Sequence, residues 1–260
     1  MYPIITDYSL YRQEMSKGIE EKLFFLNHIP DIDVLFDYGC ADGALIETLN
    51  TDAQFVCLGY DINPKMIDFA NQKKLSNTYF SVDLNFLTQW ITSFPKQNSV
   101  LLCSSLIHEV YSYGTSSSIA QFWKYLFSGH FKYIVIRDMA LCHHDETQIS
   151  HIHDIQKIMN YGNPSQIQSF TQKWGDFSSF KNLVHFLLKY RYTTNWNREV
   201  CENYLPLTFE DYQKIIPSSY HLIFQKHAPM SYLQKQIQYD FDIDLQIPTH
   251  LRLILKKHDA

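Results

Sequence analysis

The chain has 260 residues, 45% of them hydrophobic and 19% charged, with a net charge of −5 and a pI near 6.2. That length buries a large core and suits one α/β domain with an insertion. No apolar run approaches the roughly 18 residues of a membrane span, and the acidic balance argues against broad, charge-driven binding to nucleic acid or anionic membrane. Cys40, Cys57, Cys103, Cys142 and Cys201 include no Cys-x-x-Cys pair, which argues against a disulfide framework or a zinc knuckle. Asp7 and Arg12 interrupt the N-terminal stretch before an apolar block forms, so a secretory signal is not expected and the cytoplasm is the expected location.

In chain order, Leu10, Ile19, Leu23 and Leu26 recur near helical period between Tyr8 and His28, predicting an amphipathic helix. Val34, Leu35 and Phe36 form an apolar run too short for a helix, a buried strand followed by Gly39 and Gly43. Ala44, Leu45, Ile46 and Leu49 then resume helical spacing. The unit is strand, tight turn, helix, and such a turn aims unpaired helix N–H groups at whatever sits over the strand's end. Gly39, Ala41 and Gly43 do not follow the G-x-G-x-x-G order of a pyrophosphate loop. Asp37, Asp42 and Glu47 are acidic, and no Lys or Arg lies between Asp33 and Leu49. This is a poor cradle for two phosphates and a tolerable one for a cationic ligand.

The stretch Asp37-Tyr38-Gly39-Cys40-Ala41-Asp42-Gly43 resembles the first motif, D/E-x-G-x-G-x-G, of the class I S-adenosylmethionine (SAM) methyltransferases. Ala41 replaces the middle glycine, one methyl that slightly crowds the ligand's approach. Gln54 to Tyr60 reads as a second buried strand ending in Asp61, with Asn63 as N-cap and Pro64 opening the next helix. GYDINPKMIDFA resembles the family's second motif, which implies that Asp61, with Ile62 beside it, accepts from both ribose hydroxyls. Thr78 to Val82 reads as the third strand. By position in the family, Asp83 would accept from the adenine amino group while Leu84 packs on the ring. The implied cofactor set is Asp37, Gly39, Ala41, Gly43, Asp61, Ile62, Asp83, Leu84 and Ser104. In many small-molecule members a helix before the first strand folds over the cofactor, which draws attention to Tyr8, Tyr11 and Arg12.

Val100 to Ser104 reads as the fourth strand and runs into SSLIHEVYSYG. Metabolite-type members often carry a Ser or Asn, apolar residues and a His here. The Asn/Asp-Pro-Pro-Tyr tetrad of amino-directed DNA and protein-glutamine methyltransferases is absent, which argues against exocyclic base amines as target. His108 is the candidate general base, since an ordinary pKa of about 6.5 lets it accept a proton at neutral pH. Glu109 and Tyr111 complete the candidate catalytic set. Tyr133 to Arg137 reads as the fifth strand, followed by Asp138.

From Met139 to Ser219 no clear strand recurs, but Phe180, Leu183, Val184, Leu187 and Leu188 share one helical face. A helical insertion over the strand ends is predicted. His143, His144, Asp145, Glu146, His151, His153 and Asp154 cluster at its start without a catalytic zinc spacing such as H-E-x-x-H. No metal is assigned there, and substrate contact is the preferred use. Lys189, Arg191 and Arg198 interleave with Tyr190, Tyr192, Trp196 and Tyr204, a pattern able to stack a planar substrate or nucleobases. His143, Arg191, Tyr192 and Trp196 are the candidate substrate residues. Tyr220 to Lys226 and His250 to Lys256 alternate as strands six and seven, with a helix from about Ser231 to Asp240 between them.

The expected fold is an α/β, Rossmann-like seven-stranded sheet, its last strand antiparallel by family resemblance, with a helical cap inserted between strands five and six. Residues 1–30 would be a helix and candidate lid, 31–138 the SAM-binding core, 139–219 the cap and substrate region, and 220–260 the last two strands. The implied activity is SAM-dependent methyl transfer to an O or N nucleophile of a small, partly planar acceptor, leaving S-adenosylhomocysteine (SAH). The alternatives are an RNA-directed methyltransferase that uses the aromatic and basic cap, and a SAM-binding protein without catalysis.

Overall fold

The structure is a computed structural model and describes residues 5, 7–9, 12–13, 18–50, 55–93 and 98–259. The short apolar runs line up as β1 (Val34–Tyr38), β2 (Val56–Tyr60), β3 (Thr78–Ser81), β4 (Ser99–Ser104) and β5 (Tyr133–Met139), all parallel. β7 (His250–Lys257) pairs antiparallel with both β5 and β6 (Tyr220–Ala228), giving the order β3-β2-β1-β4-β5-β7-β6. Central parallel strands are covered on both faces, which explains why their sequences are continuous apolar runs. Phe36, Leu101, Cys103 and Ile136 face one layer, while Leu35, Val100, Leu102 and Val135 face the other. The winding reverses between β1 and β4, and the crevice beyond these strands' carboxyl ends is where an open α/β sheet takes its ligand.

The predicted helix from Tyr8 to His28 is broken in its described second half. Gly18 stands at φ +72°, a left-handed conformation that cannot continue a helix, and only α1 (Ile19–Lys22) and a 3-10 turn (Phe24–Asn27) follow. Beyond β1 come α2 (Ala44–Asn50) and α3 (Pro64–Gln72). Asn63 caps α3 by accepting from the Lys65 N–H at 3.1 Å, as its sequence signal predicts. α4 (Leu84–Thr92), α5 (Ile107–Tyr113) and α6 (Ser116–Leu126) complete the core layers.

The segment after β5 is helical, with α7 (His143–Glu146), α8 (Ile152–Tyr161), α9 (Pro164–Trp174), α10 (Phe180–Lys189), α11 (Trp196–Glu199) and α12 (Phe209–Ile215). The apolar face of α10 is buried against Phe170 of α9 and Phe177. Packing crosses the 219/220 boundary in both directions. Tyr212 of α12 packs in the layer that covers the sheet, whereas Leu233, Ile237 and Phe241 of α13 (Ser231–Phe241) join the cap's apolar cluster.

Gly43, placed in the cofactor set from sequence, is required in this turn by packing and backbone geometry. It sits at φ +71°, and a methyl group there would lie 2.6 Å from Cζ of Phe80 on β3. Gly43→Ala is therefore expected to destabilise the protein by about 1–3 kcal/mol through overpacking and left-handed strain. Phe80→Leu in the same chain should relieve part of that cost. Urea unfolding of the two single variants and the double variant reads the coupling, and simple additivity of the two costs would contradict it.

Candidate active site

A cavity of about 510 Å³ lies between the strand ends and the cap, a size usual for small-molecule sites. On the sheet side the glycine turn folds onto β2, with the N–H groups of Gly39 and Cys40 donating to the Tyr60 carbonyl at 2.8 and 2.9 Å. Ala41 takes the left-handed φ of 47° and donates its N–H to Asp61 Oδ2 at 2.9 Å. Asn63 N–H donates to Asp61 Oδ1 at 2.8 Å, so the carboxylate is fixed by two backbone donors and keeps lone pairs for a ligand. Burial pushes the Asp61 carboxyl up to about 6, opposed by those two hydrogen bonds. Gly39, Ala41, Asp61, Ile62 and Ser104 of the predicted cofactor set line the cavity.

A second group lies beside Asp37. This carboxyl is buried and pushed up to about 7 by burial, while the Lys22 charge pulls it down and Asp61 pushes it up. Lys22, lowered to about 8 by burial and by Arg137, lines the cavity together with Ser104 and Arg137. Arg137 donates from Nη1 to Ser105 Oγ at 2.6 Å, whereas its Nε and the Ser104 hydroxyl are buried without a hydrogen-bond partner among the described residues. Unmet donors at a cavity wall are unusual and suit an anionic end of a ligand.

The other end of the cavity is built around His108. Asp138, buried at the end of β5, accepts from the N–H groups of Ile107 at 2.7 Å, His108 at 3.3 Å and Met139 at 2.8 Å, and from His108 Nδ1 at 2.9 Å. These bonds begin α5 and turn His108 Nε2 toward Glu202, whose Oε2 lies 3.7 Å away. Arg198 bridges Glu109 Oε1 through Nη2 and Glu202 Oε1 through Nε, each at 2.9 Å. Tyr113 also donates to Glu202 Oε1 at 2.9 Å, and Tyr204 donates to Glu199. Lys189, buried behind them, donates to the backbone carbonyl of Glu199 at 2.8 Å and is lowered to about 7 by burial, with Glu202 and Glu199 opposing.

His108 does not have the protonation state read from its ordinary pKa. Burial works to lower its pKa, but the Asp138 carboxylate and its hydrogen bond, with Glu202 and Glu109, outweigh burial and raise it to about 9. That direction favours the imidazolium at neutral pH and counts against His108 as the proton acceptor. Burial raises Glu109, Glu199 and Glu202, each opposed by the charge of Arg198.

Several predicted site residues lie elsewhere. Asp37 is behind the turn, and Gly43 meets Phe80. Asp83 is exposed and its carboxylate caps α4 by accepting from Phe86 N–H at 3.1 Å, while Leu84 packs against the core. Tyr111 accepts from Trp123 Nε1 at 3.1 Å in the layer over the sheet. Trp196 donates to Ser169 within the cap at 2.7 Å. His143 is exposed, as are His144, His151 and His153, and none lines the cavity. Glu109, Arg191 and Tyr192 do line it. Of the lid candidates, Tyr8 lines the cavity, Arg12 pairs with Asp42 at 2.6 Å, and Tyr11 lies outside the described residues. Glu199 and Glu202 were missed by sequence and Asp138 was given no role. The signal for Asp138 was present, an acid at yet another strand end. That for Glu202 was its i,i+4 spacing from Arg198.

Because the folded pKa of His108 lies above its unfolded value, its contribution to stability is complete below about pH 6.5 and is lost as pH rises through about 9. His108→Asn keeps a donor for Asp138 and removes the titration. Chemical denaturation at a series of pH values should show wild type losing roughly 3 kcal/mol relative to the variant across that window. A pH-independent difference would mean that His108 is neutral.

No protein-family model matches the sequence, and no curated protein matches it. Solved structures do match in fold. A SAM-dependent methyltransferase from Anabaena variabilis superposes with a TM-score of 0.51 at 12% identity, covering 94% of this chain and 85% of that one. The plantazolicin methyltransferase BpumL, solved with a triazolic desmethylPZN analog and SAH, gives 0.50 at 12% identity over 97% of this chain and 88% of its own. A SAM-dependent methyltransferase from Archaeoglobus fulgidus gives 0.48 at 15% identity, covering 96% and 100%. With its strand order and antiparallel β7, the chain has the fold of the class I SAM-dependent methyltransferases.

Proposed function

We propose that the protein is a SAM-dependent methyltransferase whose acceptor is a small, partly planar molecule with an O or N nucleophile. One observation carries this reading: Asp61 and the glycine turn, His108 and Glu109 after β4, and Arg191 and Tyr192 of the cap all line one cavity. SAM, when bound, supplies a methyl group on a good leaving group. The chain's residues then have to bind, orient and exclude water.

Asp61 is suited to the ribose hydroxyls because two backbone donors fix it and its remaining lone pairs are available. Lys22, Ser104 and Arg137 offer donors to the carboxylate of the methionine end. The cap closes the acceptor side with Tyr192 and Tyr204, and Glu109 or Glu202 takes a proton where the nucleophile must lose one. The RNA alternative has less support. The Arg191 guanidinium is engaged with the hydroxyls of Tyr192 at 3.0 Å and Tyr232 at 2.7 Å, and the net charge is −5.

Calorimetry with SAM and SAH tests the cofactor assignment. Wild type should bind both, and Asp61→Ala should weaken them by on the order of 2–3 kcal/mol, roughly 30- to 150-fold. Absence of heat with either ligand in wild type would overturn it. Transfer of labelled methyl into a metabolite extract separates an enzyme from a binding protein.

A further inference from the structure

Glu109, Glu199 and Glu202 all line the cavity, and the carboxylates of Glu109 and Glu202 lie within 4.8 Å of each other and of the His108 ring. The cations around them are largely committed. Arg198 is shared between Glu109 and Glu202. Lys189 directs its ammonium to the backbone carbonyls of Glu199 and Glu202 instead of their carboxylates. The charge of His108 is matched by Asp138 on its other nitrogen. Ionised carboxylates therefore outnumber the cations in contact with them, an imbalance in a buried wall that either a proton or an arriving cation relieves. The Tyr192 and Tyr204 rings also line the cavity, and each already carries a cation of the chain, Arg191 at 5.0 Å from the Tyr192 centroid and Lys189 at 4.4 Å from that of Tyr204, so the carboxylates are what an arriving cation would meet.

We propose that this wall selects a nitrogen acceptor, a primary or secondary amine that enters as its ammonium ion; this rests on the methyltransferase reading above. The ammonium is held by Glu109 and Glu202, whose positions Arg198 fixes through one oxygen of each. One proton passes from nitrogen to a carboxylate, freeing the lone pair. The N–C bond forms as the S–C bond of SAM breaks, sulfur keeps that electron pair as SAH, and the carboxyl later releases its proton to water.

A divalent metal ion is the competing occupant. His108, Glu109 and Glu202 each present a ligand atom within 4.8 Å of the others. Arg198 already holds an oxygen of both carboxylates, however, and its positive charge beside the ligand atoms disfavours a second, divalent charge. An organic ammonium that donates its N–H groups to the two carboxylates needs no such close ligand shell.

The test uses three probes of one shape, 2-phenylethylamine, 2-phenylethanol and phenylacetate, titrated into the full chain saturated with SAH. The amine should bind at least 10-fold tighter than either isostere and, with SAM in place of SAH, should be the probe that gains labelled methyl. Glu109→Gln and Glu202→Gln should each weaken amine binding about 10-fold while leaving SAH binding unchanged, which also reports that the variants fold. Equal or tighter binding of the alcohol or the acid, no preference among the three, or wild-type amine affinity in both variants overturns the proposal. So does stoichiometric Mn²⁺ binding to wild type that both variants lose. If SAH itself does not bind, the cofactor reading falls first and takes this proposal with it; if SAH binds and the amine is not preferred, this proposal alone fails.

Discussion

Asp138 has no exposure to solvent, and both of its oxygens are fully used, Oδ1 by His108 Nδ1 and Met139 N–H, Oδ2 by the N–H groups of Ile107 and His108. A buried carboxylate with this many donors is held below its ordinary pKa despite the cost of burial, and removing any donor would leave charge uncompensated. The bond pattern ties β5 to the start of α5 across the β4–β5 pair. It also fixes which way His108 faces. The imidazole meets Glu202 of the cap on one side and the edge of the Tyr204 ring at 5.0 Å between centroids on the other. The orientation and the proton affinity of His108 both depend on this one carboxylate.

The cavity's charge is divided by the sheet's alternation. Ser104 and Arg137 are register partners at the ends of β4 and β5, Asp37 lies near the end of β1 opposite Leu102, and Lys22 is close enough to act on Asp37 and Arg137. Asp138, one residue beyond Arg137, points to the opposite face, as successive strand residues must. One polar group therefore serves the turn and the other serves the cap. A ligand with an anionic end and a cationic sulfonium can lie between them, with the cap supplying the wall that the parallel sheet alone lacks.

Much of this was legible in the sequence because it depends on local rules. Short apolar runs ending at glycine or an acid mark the parallel strands, Asn63-Pro64 marks the start of α3, and the strand ends locate Asp61 and Ser104 at the cavity. Positions decided by distant partners were not legible. Asp83 is a local ambiguity instead, since an acid at a strand end suits a ligand or a helix N-cap equally, and its carboxylate caps its own helix. His108 lies in the cavity, yet its proton affinity is inverted by Asp138, 30 residues later, and by Glu202 from the cap. Arg198, Glu199 and Glu202 resemble a solvated charged face until the packing of α10 and α11 buries them. The break at Gly18 was missed because apolar periodicity runs straight across it.

The most direct measurement is a crystal structure of the full chain with SAH. The ribose hydroxyls are expected on Asp61, the carboxylate end toward Lys22 and Arg137, and the sulfur facing Glu109 and Glu202 with space for one methyl group and an acceptor atom between. SAH bound away from Asp61, or with its sulfur turned from the Glu109–Glu202 wall, would contradict this arrangement.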